Sequence, residues 1–488
     1  MNLYHYRAIE NAILELENGT FHFSTREELN DPLEGYLKIY WQGDKIAWEG
    51  LLKNYICSID NAISLFLLQA DSDMLRQNTL VWDIHHNDHV PLGKIWCQLT
   101  KKFISDEEVK KAILFYGNNN LKVYKDELSF LLRYFHTKAL ILCMESYMER
   151  GIIDEADGQR LLKIFKHKST EIPGNLFGEN LPSDKERTSL TKIMKNYTQD
   201  LLEYFYLSKS DMPKQNSEDA SQTSIDNDSK KENQMRNWLS IVVDFPDTYT
   251  SQLIDFIYPT AYITCFSAQN NDSVMWGNYA NNHKGVCLIY ETDNDNKIEV
   301  MDNSGCKTGE NGRIVPTYSW IKKPISKVTY GDEICERNFF ESFGRLTFSQ
   351  IRSWLASENE ISYCYETYKN KEEWHKQYWE TFQLKNCHKM KEWSYEDEYR
   401  LIIDNTFGDH EKPEERNLPY NPNSLKGVIF GIRTSEYDKT RIIDAIQKSN
   451  YSSVMFYQAE YDEEIQKINV REKKVWNTKS SKSKNAKI

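Results

Sequence analysis

The run Glu396-Asp397-Glu398-Tyr399-Arg400-Leu401-Ile402-Ile403, introduced by Trp393-Ser394-Tyr395, holds the residues best suited to do chemistry. Tyr399, Leu401 and Ile403 alternate at the period of a half-buried strand. Glu396, Glu398 and Arg400 then share the opposite face. Strands favour β-branched and aromatic residues, so two carboxylates and a guanidinium on one face ask for a reason other than packing. Such a pair could stabilise an oxocarbenium-like sugar or ligate a divalent cation. The alternative is a solvated edge-strand face closed by a cross-strand salt bridge, since perturbed ion clusters are often structural.

A second group lies in Ser273-Val274-Met275-Trp276-Gly277-Asn278-Tyr279-Ala280-Asn281-Asn282-His283-Lys284-Gly285. Ser273 is expected to cap a short helix. Met275 with Tyr279, and Trp276 with Ala280, stand at i, i+4. Gly285 is expected to end the segment in the left-handed conformation. Packing on a sheet accounts for Met275 and Trp276, but less well for Tyr279, Asn282 and His283.

These groups need elements to hold them. Ile9, Ala12, Ile13 and Leu16 predict a short helix ending at Asn18-Gly19, and Phe21 and Phe23 predict a strand after it. Leu29-Asn30-Asp31-Pro32-Leu33-Glu34-Gly35 reads as a tight turn. Later strands are predicted at 261–266, 286–290, 327–330, 399–403, 427–431 and near 454–457, with a helix over 435–448. The expected fold is α+β, a small mixed or antiparallel sheet core split in sequence, with a large helical insertion. In this reading 1–43 is the first part of the core, 44–207 the helical insertion and 208–235 a flexible linker or loop. Residues 236–470 are the second part of the core, with a further helical insertion at about 337–390, and 471–488 form a basic disordered tail.

Bulk properties limit the partners. The 488 residues exceed one ordinary core. With 61 basic against 73 acidic residues, a balance of −12 does not suit a generic nucleic-acid binder, and only the basic tail suggests weak contact. No apolar run approaches the roughly 18 residues needed to span a bilayer, so no membrane partner is expected. The N-terminus lacks the pattern of a signal peptide, and nine scattered cysteines suit a reducing cytosol, so the expected location is cytoplasmic. His85-His86-Asn87-Asp88-His89 has histidines at i, i+4 but no cysteine pair, and no metal is expected.

Taken together, Tyr4-His5-Tyr6-Arg7, Phe23-Ser24, Asn30-Asp31-Pro32-Leu33-Glu34-Gly35, Cys265-Phe266-Ser267, Met275-Trp276 through Tyr279 to His283-Lys284-Gly285, Val328-Thr329-Tyr330 and Trp393 to Ile402 occur in a recognisable order. The chain resembles the bacterial domain of unknown function family 2971 over residues 1–40 and roughly 260–435. That family name carries no activity.

The order of a basic first strand, a central aromatic and a late Glu-x-Glu is similar to that of ADP-ribosyltransferases. It implies NAD as the consumed molecule, with Glu398, Glu396 and Tyr279 as catalytic residues. Glu398 would hold the ribose 2′-hydroxyl and stabilise the cation, Glu396 would orient or deprotonate an acceptor, and Tyr279 would be the nicotinamide platform. His5, Tyr6, Arg7, Ser24, Asn30, Asp31, Ser267, Trp276, His283 and Arg400 would bind the rest of the dinucleotide. The acceptor, macromolecule or small molecule, is not readable, and the insertion 44–207 could hold a protein partner. Bacterial enzymes of this build often prove to be toxins or phage-defence effectors.

Two other classes stand beside it. One is a metal-dependent nuclease or phosphodiesterase, with Asp31, Glu34, Glu396 and Glu398 on Mg²⁺ and Lys284 or Lys391 beside it. The other is a non-catalytic sensor or interaction module.

Overall fold

The computed structural model describes residues 1–31, 34–83, 91–171, 224–309 and 314–473, less single positions, together with scattered residues between 183 and 199. The histidine run at 85–89, most of the expected linker and nearly all of the basic tail lie outside the described residues. The chain forms two compact units. One comprises residues 1–37, 259–335 and 379–488, and the other 38–258 and 336–378.

The first unit is built on a nine-stranded sheet. Its strands in chain order are β1 (Asn2–Arg7), β2 (Ala261–Ser267), β3 (Val286–Glu291), β4 (Lys297–Thr308), β5 (Ile314–Lys327), β6 (Glu398–Asp404), β7 (Leu425–Phe430), β8 (Met455–Asp462) and β9 (Lys467–Glu472). Their spatial order is β9-β8-β7-β3-β1-β2-β6-β5-β4. Only β7 and β8 pair in parallel, so the sheet is mixed. It is α+β, as the sequence predicts, but larger than the small sheet expected. The hairpin β4–β5 and strand β9 were not among the predicted strands. Half of that hairpin is exposed, which removes the buried alternation that sequence reading depends on.

The helices Ile9–Asn18 and Glu436–Lys448 cover one face of this sheet. Ala12, Leu16, Ile442, Ala445 and Ile446 pack with Leu3, Phe21, Leu288, Val428, Leu401 and Ile403. Gly19 ends the first helix at φ 63°, as its type predicts. Tyr399, Leu401 and Ile403 point toward this core, which leaves Glu398 and Arg400 for the opposite face.

β1 lies in the middle of the sheet yet is unequally held. All six of its residues pair with β3. Toward β2 a single pair is made, Tyr4↔Ser267. Continuing that register would set Tyr6 opposite Cys265, but Ile263 pairs instead with Ser24, and Thr264 Oγ1 donates to the His22 carbonyl at 2.6 Å. The sheet is therefore split between β1 and β2, and the chain at 22–24 lines β2 where β1 departs from it.

The second unit is mainly helical. Helix Lys45–Leu67 is buried along most of its length, with Asp44 capping its start through the Ile46 and Ala47 amides. Helices at 91–105, 107–119, 125–149 and 245–257 pack in the same unit. It extends to Tyr258, so residues 236–258 belong here and not to the sheet core, and its start precedes the expected 44. Residues 336–378 also join it rather than standing apart, because Glu336–Asn338 pairs in parallel with Lys38–Tyr40. The expected loop at 208–235 is corrected over its described end, where Ser224–Leu239 is helical. Trp238 is buried against Phe66, and this anchor lets a helix extend into polar sequence that carries no apolar period. No described helix is long and apolar enough to cross a membrane.

Candidate functional site

The split between β1 and β2 opens into a cleft of 270 Å³. Tyr4, His5, Tyr6 and Arg7 line it from β1, and Ser24 and Asn30 from the following segment. Ser267, Tyr279, Lys389, Glu396 and Glu398 line it as well.

Glu398 and Arg400 sit on one face of β6, as the alternation predicts, opposite Ser267 and Cys265 of β2. Glu396 is not on the strand. It closes the 3₁₀ turn Lys391–Glu396, and Asp397, left-handed at φ 40°, redirects the chain into β6. Nor is this face solvated or at an edge, since β6 pairs on both sides and Glu396, Glu398 and Arg400 are at most 3% exposed.

The cations that hold these carboxylates are buried with them. Lys389 Nζ stands 2.7 Å from Glu396 Oε2 and 2.7 Å from Glu398 Oε2. Arg400 grips Glu398 with two hydrogen bonds, Nε to Oε1 at 2.9 Å and a terminal nitrogen to Oε2 at 3.1 Å. Arg400 also pairs with Glu34 and donates to the Asn386 carbonyl. The Glu34 amide donates to the Asp31 carbonyl, and Gly35 after it is left-handed at φ 64°. Asp31 acts on Arg400 through its charge. Three carboxylates, Glu34, Glu396 and Glu398, thus share two cations, Lys389 and Arg400.

That imbalance, removed from water, sets the protonation states. Burial pushes Glu398 up to about 7 against the pull of Lys389, with Glu396 adding to the rise. Burial pushes Arg400 down to about 9. Burial alone would lower Lys389, but Glu398, the Cys265 thiol and Glu396 outweigh it and raise it well above the ordinary range.

Tyr279 ends helix Ser273–Tyr279. Asp272, not Ser273, is the N-cap, accepting from the Val274 and Met275 amides. The Tyr279 hydroxyl donates to Glu396 Oε1 and accepts from Asn30 Nδ2 at 2.9 Å. Burial and Glu396 raise its pKa far above the usual phenol value. Ser267 Oγ donates to the Glu396 carbonyl at 2.7 Å. Tyr330 accepts from the Glu398 amide at 2.8 Å.

The remaining expected site residues divide. His5 and Arg7 reach the cleft but already serve Glu15, at 3.1 and 2.9 Å. That buried carboxylate is lowered to about 2, because these two neighbours and Tyr290 outweigh its burial. Trp276 does not line the cleft. It is fully buried, edge-on to Tyr6, with Nε1 donating to the Asn270 carbonyl. His283 lines a different cavity. Arg400 is a fully buried partner of Glu398 rather than a group facing the cleft.

Lys389 is the main residue that the sequence reading missed. His388-Lys389 forms a two-residue strand beside Thr329-Tyr330, too short for a periodic signal, and lysine is rarely buried.

No curated protein and no solved structure matches the chain. Residues 275–401, from the Met275 helix through Lys389 and the Glu396–Glu398 pair to β6, match the model of a family described as a protein of unknown function (DUF2971), so over that stretch the resemblance read from the motifs holds.

Proposed function

We propose that the cleft between β1 and β2 breaks the N-glycosidic bond of NAD, in ADP-ribosyl transfer or NAD hydrolysis. The observation that carries this reading is the meeting of Glu396, Glu398 and Tyr279 in one cleft that β1 also lines. In that reaction the bond from ribose C1′ to the nicotinamide nitrogen breaks, and its electron pair leaves with nicotinamide. A carboxylate stabilises the oxocarbenium-like ribose, and an acceptor oxygen then bonds to C1′ and gives up its proton.

Glu396 is the better candidate for the sugar-facing carboxylate, since one of its oxygens accepts from Tyr279, which also lines the cleft, whereas Glu398 is gripped by the fully buried Arg400. Glu398, pushed up to about 7, is suited to take the acceptor's proton at neutral pH. The cleft volume of 270 Å³ is close to the lower end of small-molecule sites, about 300–1,000 Å³, and suits the nicotinamide riboside half. Such chemistry fits the setting of a bacterial toxin or phage-defence effector, which we propose with it.

The bidentate Arg400–Glu398 pair favours a second reading, a module that binds a small ligand without reacting with it. The metal-dependent nuclease is less favoured, because the Lys389 ammonium fills the position between Glu396 and Glu398 that a divalent cation would need.

The test is nicotinamide release from NAD by wild type, Glu396→Gln and Tyr279→Phe at neutral pH without added metal. Release should fall roughly a hundredfold or more in Glu396→Gln and about tenfold in Tyr279→Phe. An NAD-dependent thermal shift without release supports the binding module. Neither release nor shift from the wild type sinks both readings of NAD.

A further inference from the structure

A second cavity, of 610 Å³, lies in the same unit and is lined by His283, Arg433, Lys467, Tyr461, Ile432 and Gln269 among others. One of its lining residues, His283, belongs to an unusual turn. Asn281, Asn282 and His283 are three consecutive non-glycine residues at positive φ, 48°, 54° and 68°. Asparagine and histidine tolerate that region better than most residues, but three in a row are costly and persist only where surrounding structure holds them.

The holding contacts are specific. The His283 amide donates to the Trp276 carbonyl at 3.0 Å, and its carbonyl accepts from the Arg433 amide at 2.9 Å. Gly431 is required beside it, since a Cβ there would stand 2.3 Å from the His283 carbonyl oxygen. The imidazole lies parallel to Trp276, at 11°. Backbone and ring are thus fixed before any ligand arrives.

What is fixed in place lacks protein partners. His283 Nδ1 is shielded from solvent with no hydrogen-bond partner among the described residues, a state that costs free energy unless a ligand or water relieves it. Arg433 and Lys467 form no ion pair among the described residues, in a chain of net charge −12. Asp272 is the sole carboxylate among the lining residues, and its Oδ1 is occupied in capping the Val274 and Met275 amides. Tyr461 and Ile432, both exposed, add an aromatic and an aliphatic surface to the same cavity.

We infer that this cavity binds a nucleotide-like small anion, its phosphate between Arg433 and Lys467 and its ring against Tyr461 and Ile432. Two exposed cations match a phosphate, and the exposed tyrosine matches a base. The inference does not rest on the NAD reading of the β1–β2 cleft.

The test is calorimetric titration of the full chain with ADP and with inorganic phosphate, at low and moderate salt. Wild type should bind ADP, less tightly as salt rises. Arg433→Ala with Lys467→Ala should weaken ADP by about tenfold or more. Tyr461→Ser should weaken ADP but not inorganic phosphate, while Glu396→Gln should leave both unchanged. Arg433, Lys467 and Tyr461 are exposed, and an unchanged melting temperature confirms the fold of each variant. Absence of binding to either probe overturns the inference. So does ADP binding that ignores the double substitution, or that is lost in Glu396→Gln and so belongs to the other cleft.

Discussion

Glu398→Gln should flatten the pH dependence of stability. The folded carboxyl titrates at about 7, against about 4.5 ordinarily, because burial outweighs the pull of Lys389. A carboxyl raised in this way contributes stability that is fully present below about 4.5. That contribution is lost as pH rises through the folded value of about 7, because folding takes up a proton over that window. Integrating between the two values gives a loss on the order of 2–3 kcal/mol from pH 5 to pH 8. Glutamine keeps the shape and cannot titrate. The measurement is urea unfolding from pH 5 to pH 8 for both proteins, following the transition of the sheet unit. Subtracting one curve from the other cancels the remaining carboxylates and histidines. A protonated-carboxyl infrared band in the wild type, absent from Glu398→Gln, gives an independent reading. Parallel pH curves, or a wild type that gains stability relative to the variant as pH rises, would refute the picture of three buried carboxylates sharing two cations.

Lys389→Met should destabilise the sheet unit by about 3–5 kcal/mol, since it leaves two buried glutamates without the ammonium between them. Glu396→Gln added to it should recover part of that loss, which urea unfolding would register as non-additivity. Gly285→Ala should cost more than about 4 kcal/mol. Its Cβ would stand 2.1 Å from the Arg7 carbonyl oxygen and force β1 from its place beside β3, to be read as lost soluble expression or a lowered melting temperature.

The parts of the fold legible in the sequence were those with a strong period or an obvious stop. The helix ending at Gly19, the alternation of Tyr399, Leu401 and Ile403, and the helix over 436–448 all have them. Glu396 shows the limit. Period 2 extended it onto the strand, whereas one left-handed residue, Asp397, ends the strand before it. Its meeting with Glu398 survives only because Lys389 and Tyr279 hold it there, and tertiary contacts of that kind leave no trace in spacing. The split between β1 and β2 is equally invisible, since nothing in either strand's composition forbids their pairing. Gly285 was expected for a left-handed turn. Its role is close approach to β1, while Asn281, Asn282 and His283 take the left-handed positions.

The central position of β1 has a consequence for how the protein is made. This strand must wait for partners that begin at Ala261 and Val286, after most of the helical unit has been synthesised. Contacts this distant in sequence form slowly. Until they do, Leu3 and Tyr6 lack the sheet that buries them in the finished fold. The described helices between 45 and 257 can collapse locally in the meantime. The nascent chain therefore carries an unpaired apolar strand until β2 and β3 have been made, the interval in which chaperones would be most needed and aggregation is favoured.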